Sequence, residues 1–281
     1  MNKQLSLAYF AGGSKFTLQP FIALKESRHD LKIVFTKSPK RLGRGKNKSH
    51  NILLKKTIEY GVPNKTIDDF KSLENLKLLK SLDLDFIIVF SFGLILPKEV
   101  LEIPKYGCIN IHASLLPKWR GASPVQHALL NNDKVTGYTF IIMNESLDEG
   151  NIIHKEKIYI DISDNYASLL DKIIILASKN IVKKIEELAN DIIKPKVQKH
   201  NQVSYCYKIN KQDTYLHFDI SAKEVLGKIR ALSPTPGAKC YLKGELIKIL
   251  DAKVEDSNKI NKKIGYVIDE SLLISCKYGF V

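Results

Sequence analysis

Between residues 107 and 150 the chain gathers polar residues whose types and spacing suit a reaction centre. Cys108-Ile109-Asn110-Ile111-His112 alternates polar with apolar positions. A strand sends alternate side chains to one face, so Asn110 and His112 point together. Ser114-Leu115-Leu116-Pro117 ends that strand. Trp119 to Ala122 then reads as a loop before a helix with Ser123 as its cap and Pro124 in its first turn. Val135 to Met143 carries the chain back as a second strand, into a polar loop, Asn144 to Gly150, that holds Asp148. An amide, an imidazole and a carboxylate suit acyl or formyl transfer to an amine. The amide and an imidazolium stabilise an oxyanion, while the carboxylate supports the charged ring and helps move a proton. No covalent nucleophile is needed. The plainer alternative is that Asn110 and His112 satisfy backbone groups at a strand end and Asp148 merely turns a loop. Asn-x-His alone does not separate the two.

The elements that must position these residues follow a β-α alternation. Leu5 to Phe10 reads as a strand, Ala11 to Ser14 as a glycine turn, and Phe16 to Glu26 as a helix. Gly12-Gly13 lacks the G-x-G-x-x-G spacing, so a dinucleotide site is not expected. Leu31 to Thr36 is the next strand. Asn51 to Tyr60 and Leu76 to Ser81 read as helices, and Asp85 to Ser91 contains Phe86-Ile87-Ile88-Val89-Phe90, the apolar run of a parallel strand covered on both faces. Ligands in open α/β sheets sit beyond the carboxyl ends of the strands, which places the Phe90 to Leu96 loop beside the end of the Asn110 strand. Ala167 to Ala189 is the clearest amphipathic helix and should close the first domain. Lys194 to Asn201 mixes proline with charge and reads as a linker. After it come a helix over Ala222 to Ala231 and short strands over Lys239 to Leu242, Leu246 to Ala252 and Gly265 to Ile268, the pattern of a small β-barrel.

Asn110-x-His112, Ser114-Leu115-Leu116-Pro117, Trp119-Arg120-Gly121-Ala122, Pro124-x-Gln126 and Leu147-Asp148-x-Gly150, in that order, resemble the methionyl-tRNA formyltransferases, within the wider group of enzymes that use 10-formyltetrahydrofolate. The resemblance implies an α/β fold: a Rossmann-like formyltransferase domain with a mostly parallel sheet over residues 1–190, a linker over 191–203, and an OB-like, tRNA-binding barrel over 204–281. It implies Asn110, His112 and Asp148 as the catalytic set. It places Ser114, Leu115, Leu116 and Pro117, together with Phe90, Ser91, Phe92, Gly93, Leu94 and Ile95, around the folate, although core packing accounts equally well for Phe92 and Leu94. The co-substrate would be 10-formyltetrahydrofolate, the acceptor initiator methionyl-tRNA, and no metal is expected.

Charge agrees with an RNA partner. Lys and Arg number 44 against 30 Asp and Glu, a formal charge of +14, which draws polyanions, although Lys-, Ile- and Asn-rich composition alone could produce it. Residues 37 to 56 hold eight Lys or Arg and no acid. There Arg41-Leu42-Gly43-Arg44-Gly45-Lys46 matches a Gly-Arg-Gly-Lys loop that family members acting on tRNA send into the acceptor stem, which makes Arg41, Arg44 and Lys46 candidate tRNA contacts. Lys208 and Arg230 are further candidates in the second domain, where Lys211, Lys239, Lys243 and Lys248 could share an RNA face or simply protect strand edges. Cys108, Cys206, Cys240 and Cys276 form no C-x-x-C pair and read as reduced structural thiols. No stretch is apolar enough to span a bilayer and no signal peptide is evident, so a cytoplasmic location is expected; a monomer is the separate expectation, although the residues leave oligomeric state open.

The chain departs from the family in three places. Gly13-Ser14-Lys15 stands where a Gly-Thr-Pro-like turn is usual, Lys239-Cys240-Tyr241 follows Pro-Gly-Ala where an aromatic is usual, and the chain stops at Val281 where a last barrel strand would begin. An incompletely closed barrel is therefore expected. Formylation of a small amine such as glycinamide ribonucleotide or an amino sugar, hydrolysis of the folate, and non-catalytic RNA binding are the rival readings. A small substrate needs neither a long phosphate-reading loop nor a barrel.

Overall fold

The structure, a computed structural model, describes residues 3–38, 50–70, 72–255 and 263–281. Its first strands are β1 (Ser6–Ala11), β2 (Asp30–Lys37), β3 (Asn64–Ile67), β4 (Phe86–Phe90), β5 (Cys108–His112), β6 (Arg120–Gly121), β7 (Val135–Ile142) and β8 (Asn151–Tyr159). Seven of them form one sheet in the order β3-β2-β1-β4-β5-β7-β8. β1 pairs in parallel with both β2 and β4, β2 with β3 and β4 with β5, whereas β5 and β7 run antiparallel. The expected mostly parallel sheet is thus present, with Asn110 and His112 on the strand where the direction reverses.

The reason lies in composition. Leu7 to Ala11 on β1 and Phe86 to Phe90 on β4 are buried throughout, as continuous apolar runs must be when helices cover both faces of a sheet. Helices α1 (Leu18–Lys25), α2 (Ile52–Glu59), α3 (Leu73–Ser81) and α4 (Lys98–Leu101) connect these strands. Asn51 starts α2 by accepting from the Leu54 N–H, satisfying one of the orphan donors of the first turn. One side of the sheet buries Ala8, Phe10, Phe35, Ile87 and Val89 against Leu79 and Val100. Helix α3 starts earlier than its apolar spacing suggests, at Leu73.

The chain gathers into two compact units. One comprises residues 1–117, 138–156 and 172–203, the other residues 118–137, 157–171 and 204–281. Helix α5 (Pro124–Leu130), which precedes β7, has Ser123 at its cap and Pro124 at its start, but the Ser123 side chain makes no capping bond. The Ser123 carbonyl instead receives the His127 N–H, with the His127 Nδ1 3.0 Å away. Helix α6 (Tyr166–Ala189) buries Leu169, Ile173, Ala177, Ile181 and Ile185, the spacing its sequence displays.

The segment with linker composition is pinned rather than loose at one point. Ile152 and Lys196 exchange two backbone hydrogen bonds, at 2.7 and 2.8 Å, and Gln198 is buried. In the second unit β9 (Tyr205–Cys206) pairs with β6, and α7 (Ala222–Leu232) opens with a capping box between Ser221 and Glu224. β10 (Ala238–Leu242) and β11 (Glu245–Ile249) form an antiparallel hairpin. Gly265 to Ile268, expected as a strand, holds one isolated bridge, Val267 to Ile274, instead of a ladder. Its Gly265 adopts φ +81°, a left-handed turn conformation that a strand does not use. Among the described residues no helix is long and apolar enough to cross a membrane.

Candidate active site

β5 delivers Asn110 and His112 to the same side, and both meet Asp148. The Asn110 Nδ2 donates to one carboxylate oxygen at 3.2 Å, and the His112 Nδ1 lies 3.5 Å from the other. The imidazole is 5 % exposed and the Asp148 side chain 11 %, so little water competes for either. The alternation that put Asn110 and His112 together in the sequence is therefore a spatial fact, and the carboxylate arrives from a loop 38 residues away.

That loop is shaped by its backbone. Asp148 takes φ +53°, a left-handed conformation that short polar residues tolerate better than others. Two residues on, a Cβ at Gly150 would lie 1.8 Å from the Ile142 carbonyl oxygen, so only glycine lets the loop return so close to the end of β7. The Gln198 side-chain amide donates to the carbonyls of Asp148 and Gly150, at 2.7 and 2.9 Å.

The loop after β5 is held from below. The Thr139 hydroxyl donates to the Ser114 carbonyl at 2.6 Å and accepts from the Leu116 N–H at 3.0 Å. Lys155 adds a bond to the Leu116 carbonyl at 3.1 Å. Ser114, Leu116 and Pro117 are buried and Leu115 half-buried. The loop after β4 leaves the sheet through Ser91 (φ +49°) and Gly93 (φ +68°), and Lys37 Nζ caps the Gly93 carbonyl at 2.7 Å. Phe90 is buried at the strand end, Ile95 is 90 % exposed, and Leu94 packs partly on the core. Phe92 is 2 % exposed and lies among Phe10 and Phe70, with ring centroids 5.4 and 6.1 Å away. Its side chain is core packing, which decides between the two accounts its sequence left open. β4 and β5 are adjacent, so these loops leave neighbouring strands at the carboxyl end where α/β sheets bind ligands. An exposed Ile95 and a half-buried Leu94 leave apolar surface at that end.

The remaining candidates are the basic residues. Arg41, Arg44 and Lys46 fall outside the described residues. Lys208 is exposed. The Arg230 guanidinium is spent on structure: its Nε donates to the Asp164 carbonyl and its Nη2 to the Asp161 carbonyl, both at 2.6 Å. All four cysteines are free and buried, and burial pushes the Cys108 thiol up to about 12. Among the described residues no group of three or more His, Cys, Asp or Glu is arranged to hold a metal.

The sequence did not single out Thr139, Lys155 or Gln198. Thr139 left a faint signal as a polar residue inside an apolar strand. Gln198, between charged residues in a proline-containing stretch, left none.

Known proteins carry the same architecture. Residues 5–185 match the family described as "Formyl transferase", and residues 208–281 match "Formyl transferase, C-terminal domain". The methionyl-tRNA formyltransferase of Thermodesulfovibrio yellowstonii is 38% identical over 249 residues, 89% of this chain and 80% of that protein. Its counterpart in Kosmotoga olearia is 36% identical over 277 residues, 97% of this chain and 88% of that one. Among solved structures, the N-formyltransferase of Helicobacter canadensis, in complex with folinic acid and dTDP-3-aminofucose, superposes with TM-score 0.71 at 21% identity, covering 99% of this chain and 97% of that one. A 4-N formyltransferase from Francisella tularensis gives 0.67 at 18% identity, covering 90% and 99%. At such identities these two structures speak for the fold. With both domains matched and relatives this similar over most of their length, the chain belongs to the formyl transferase family and sits within it among the methionyl-tRNA formyltransferases.

Proposed function

We propose that this enzyme transfers the formyl group of 10-formyltetrahydrofolate to the α-amino group of methionine on initiator tRNA. The observation that carries the site assignment is the convergence of Asn110 and His112 on one carboxylate, Asp148. The folate lies against the Phe90 to Ile95 loop, whose Phe92 side chain turns into the core, and against Ser114 to Pro117. The catalytic centre belongs to residues 1–190, and residues 204–281, joined through 191–203, form the OB-like domain that holds tRNA.

The uncharged amine attacks the formyl carbon, the new C–N bond forms, and the bond to the folate nitrogen breaks. One proton passes from the amine to that nitrogen, with Asp148 as the relay. While the carbon is tetrahedral its oxygen bears negative charge. Asn110 uses one amide hydrogen on Asp148 and keeps the second for that oxygen. The protonated His112 ring directs Nδ1 to Asp148 and offers Nε2 to the oxyanion. Loss of one such donor typically costs about a hundredfold or more in turnover. No step calls for a metal.

Basic residues serve the RNA. Arg41, Arg44, Lys46 and Lys208 are assigned to phosphates, where each contact positions the acceptor and adds salt dependence.

The test is formyl transfer to charged initiator tRNA by the native chain and by His112→Ala, with glycinamide ribonucleotide as competing acceptor. Formylated tRNA that falls about a hundredfold in the variant is the expected result. Formylation of the small amine instead, or folate consumed without a formylated acceptor, would move the function to a small-amine transferase or a hydrolase.

A further inference from the structure

We propose that Gln198 is a positioning residue for formyl transfer, acting through the main chain on either side of Asp148. The proposal rests on the reading of Asp148 as catalytic. Gln198 is 4 % exposed, and its Nε2 spends both hydrogens on one turn: on the Asp148 carbonyl at 2.7 Å and the Gly150 carbonyl at 2.9 Å. The two carbonyls flank Glu149, so the amide closes the turn like a staple and fixes the orientation of the Asp148 Cα–Cβ bond.

Three further facts make that staple necessary. Asp148 sits at φ +53°, a conformation an L-residue keeps only when its surroundings hold it. The neighbouring residues Asn144 to Leu147 are exposed, so one flank of the turn lacks packing. Gln198 in turn is placed by the two backbone bonds between Lys196 and Ile152, which lay residues 196–198 alongside the start of β8. The carboxylate must reach Asn110 and His112 at once, 3.2 and 3.5 Å away. A displacement of about 1 Å at a reacting group can cost on the order of a hundredfold in rate. Gln198 therefore governs turnover through geometry while touching neither substrate.

Gln198→Met keeps the side-chain length and removes the donors. We expect kcat to fall about ten- to a hundredfold, with KM for tRNA and for 10-formyltetrahydrofolate changed less than about twofold. Combined with Asp148→Ala, itself down about a hundredfold, it should lower kcat by less than about threefold more, because residues acting as one unit are not additive. Gln198→Glu covers the case in which the methionine variant does not fold. Its carboxyl donates a hydrogen bond only when protonated, so its kcat relative to the native chain should climb as pH falls, a trend that loss of packing would not produce. Native kcat in Gln198→Met, full multiplication with Asp148→Ala, or a flat ratio for Gln198→Glu would overturn the positioning role. Full activity of Asp148→Ala would instead overturn the catalytic assignment beneath it.

Discussion

Thr139 stands directly opposite His112 in the β5–β7 ladder. Residues opposed across an antiparallel pair share a face, so the threonine lies on the imidazole's side of the sheet, where its hydroxyl joins the Ser114 carbonyl to the Leu116 N–H. One hydroxyl thus ties the loop after β5 to the strand that backs the site. Thr139→Val keeps the shape and strands both partners. Thermal or denaturant unfolding should show a loss of about 1–3 kcal/mol, and KM for the formyl donor should rise more than KM for tRNA. Unchanged stability and unchanged folate KM would remove the hydroxyl from this role.

Gly150 tests how tightly the Asp148 turn is confined. A methyl there meets the Ile142 carbonyl oxygen at 1.8 Å and Ile142 carbon at 2.8 Å, backbone atoms that cannot swing aside as a side chain can. Gly150→Ala should therefore move the turn, lower stability by several kcal/mol, and reduce kcat about as far as Asp148→Ala does. Native turnover in a folded Gly150→Ala enzyme would mean that the turn is not needed where it stands.

The asymmetry between what the residues announced and what they hid has a physical basis. Asn110 and His112 were legible because strand alternation is a two-residue rule that local sequence obeys. The central strands were legible from apolar runs, and α6 from its spacing. Asp148 could be placed only with the help of the longer motif string, since a loop carboxylate has no period. Gln198 was invisible for a stronger reason: its partners are main-chain carbonyls 50 and 48 residues away, and a carbonyl carries no residue identity. The two backbone bonds of Arg230 were equally invisible, because a basic residue that bonds backbone oxygens looks in sequence like one that bonds phosphates. Gly265 to Ile268 lost its ladder to a left-handed glycine.

One buried histidine, His29, and one half-buried, His154, should set the acid limit of stability. Burial lowers the pKa of His29, with Arg28 adding to the effect and Glu186 and Asp85 opposing it. Burial and Lys184 lower that of His154, against Glu156 and Glu187. In the unfolded chain each returns to about 6.5, so the unfolded state binds the extra protons first. Stability is full above about pH 6.5 and falls as pH drops below it. Melting curves between pH 5 and 8, on the order of one buffer per half unit, should show this slope, and His154→Gln should flatten it. An equal slope in the variant would assign the loss to other groups.

The cysteines should be silent in the folded enzyme. Burial raises the Cys240 thiol, lifts Cys276 to about 11 and Cys108 to about 12, and the thiolate is the form that reacts. All four are buried. Labelling with a disulfide reagent at about pH 8 should consume less than about one equivalent in the native state and all four thiols after unfolding. Rapid native labelling would show that one of these sites opens.

Arg230 and Lys208 separate structural from RNA-binding basic residues. The Arg230 fork spans two carbonyls three residues apart, Asp161 and Asp164, at 2.6 Å each, a geometry that the single ammonium of lysine cannot reproduce. Arg230→Lys preserves the charge, so it should lower stability by about 1–3 kcal/mol and leave the salt dependence of tRNA binding as it was. Lys208 is exposed and has its charge available to a phosphate. Lys208→Gln should spare stability and reduce the slope of log K against log salt by about 0.7–0.9, the change expected for one lost phosphate contact. Binding titrations across a salt series, run beside thermal melts, resolve the pair. If Arg230→Lys changed the salt slope and kept its melting point, the guanidinium would bind RNA after all, and its bonds to the two carbonyls would have to yield when tRNA arrives.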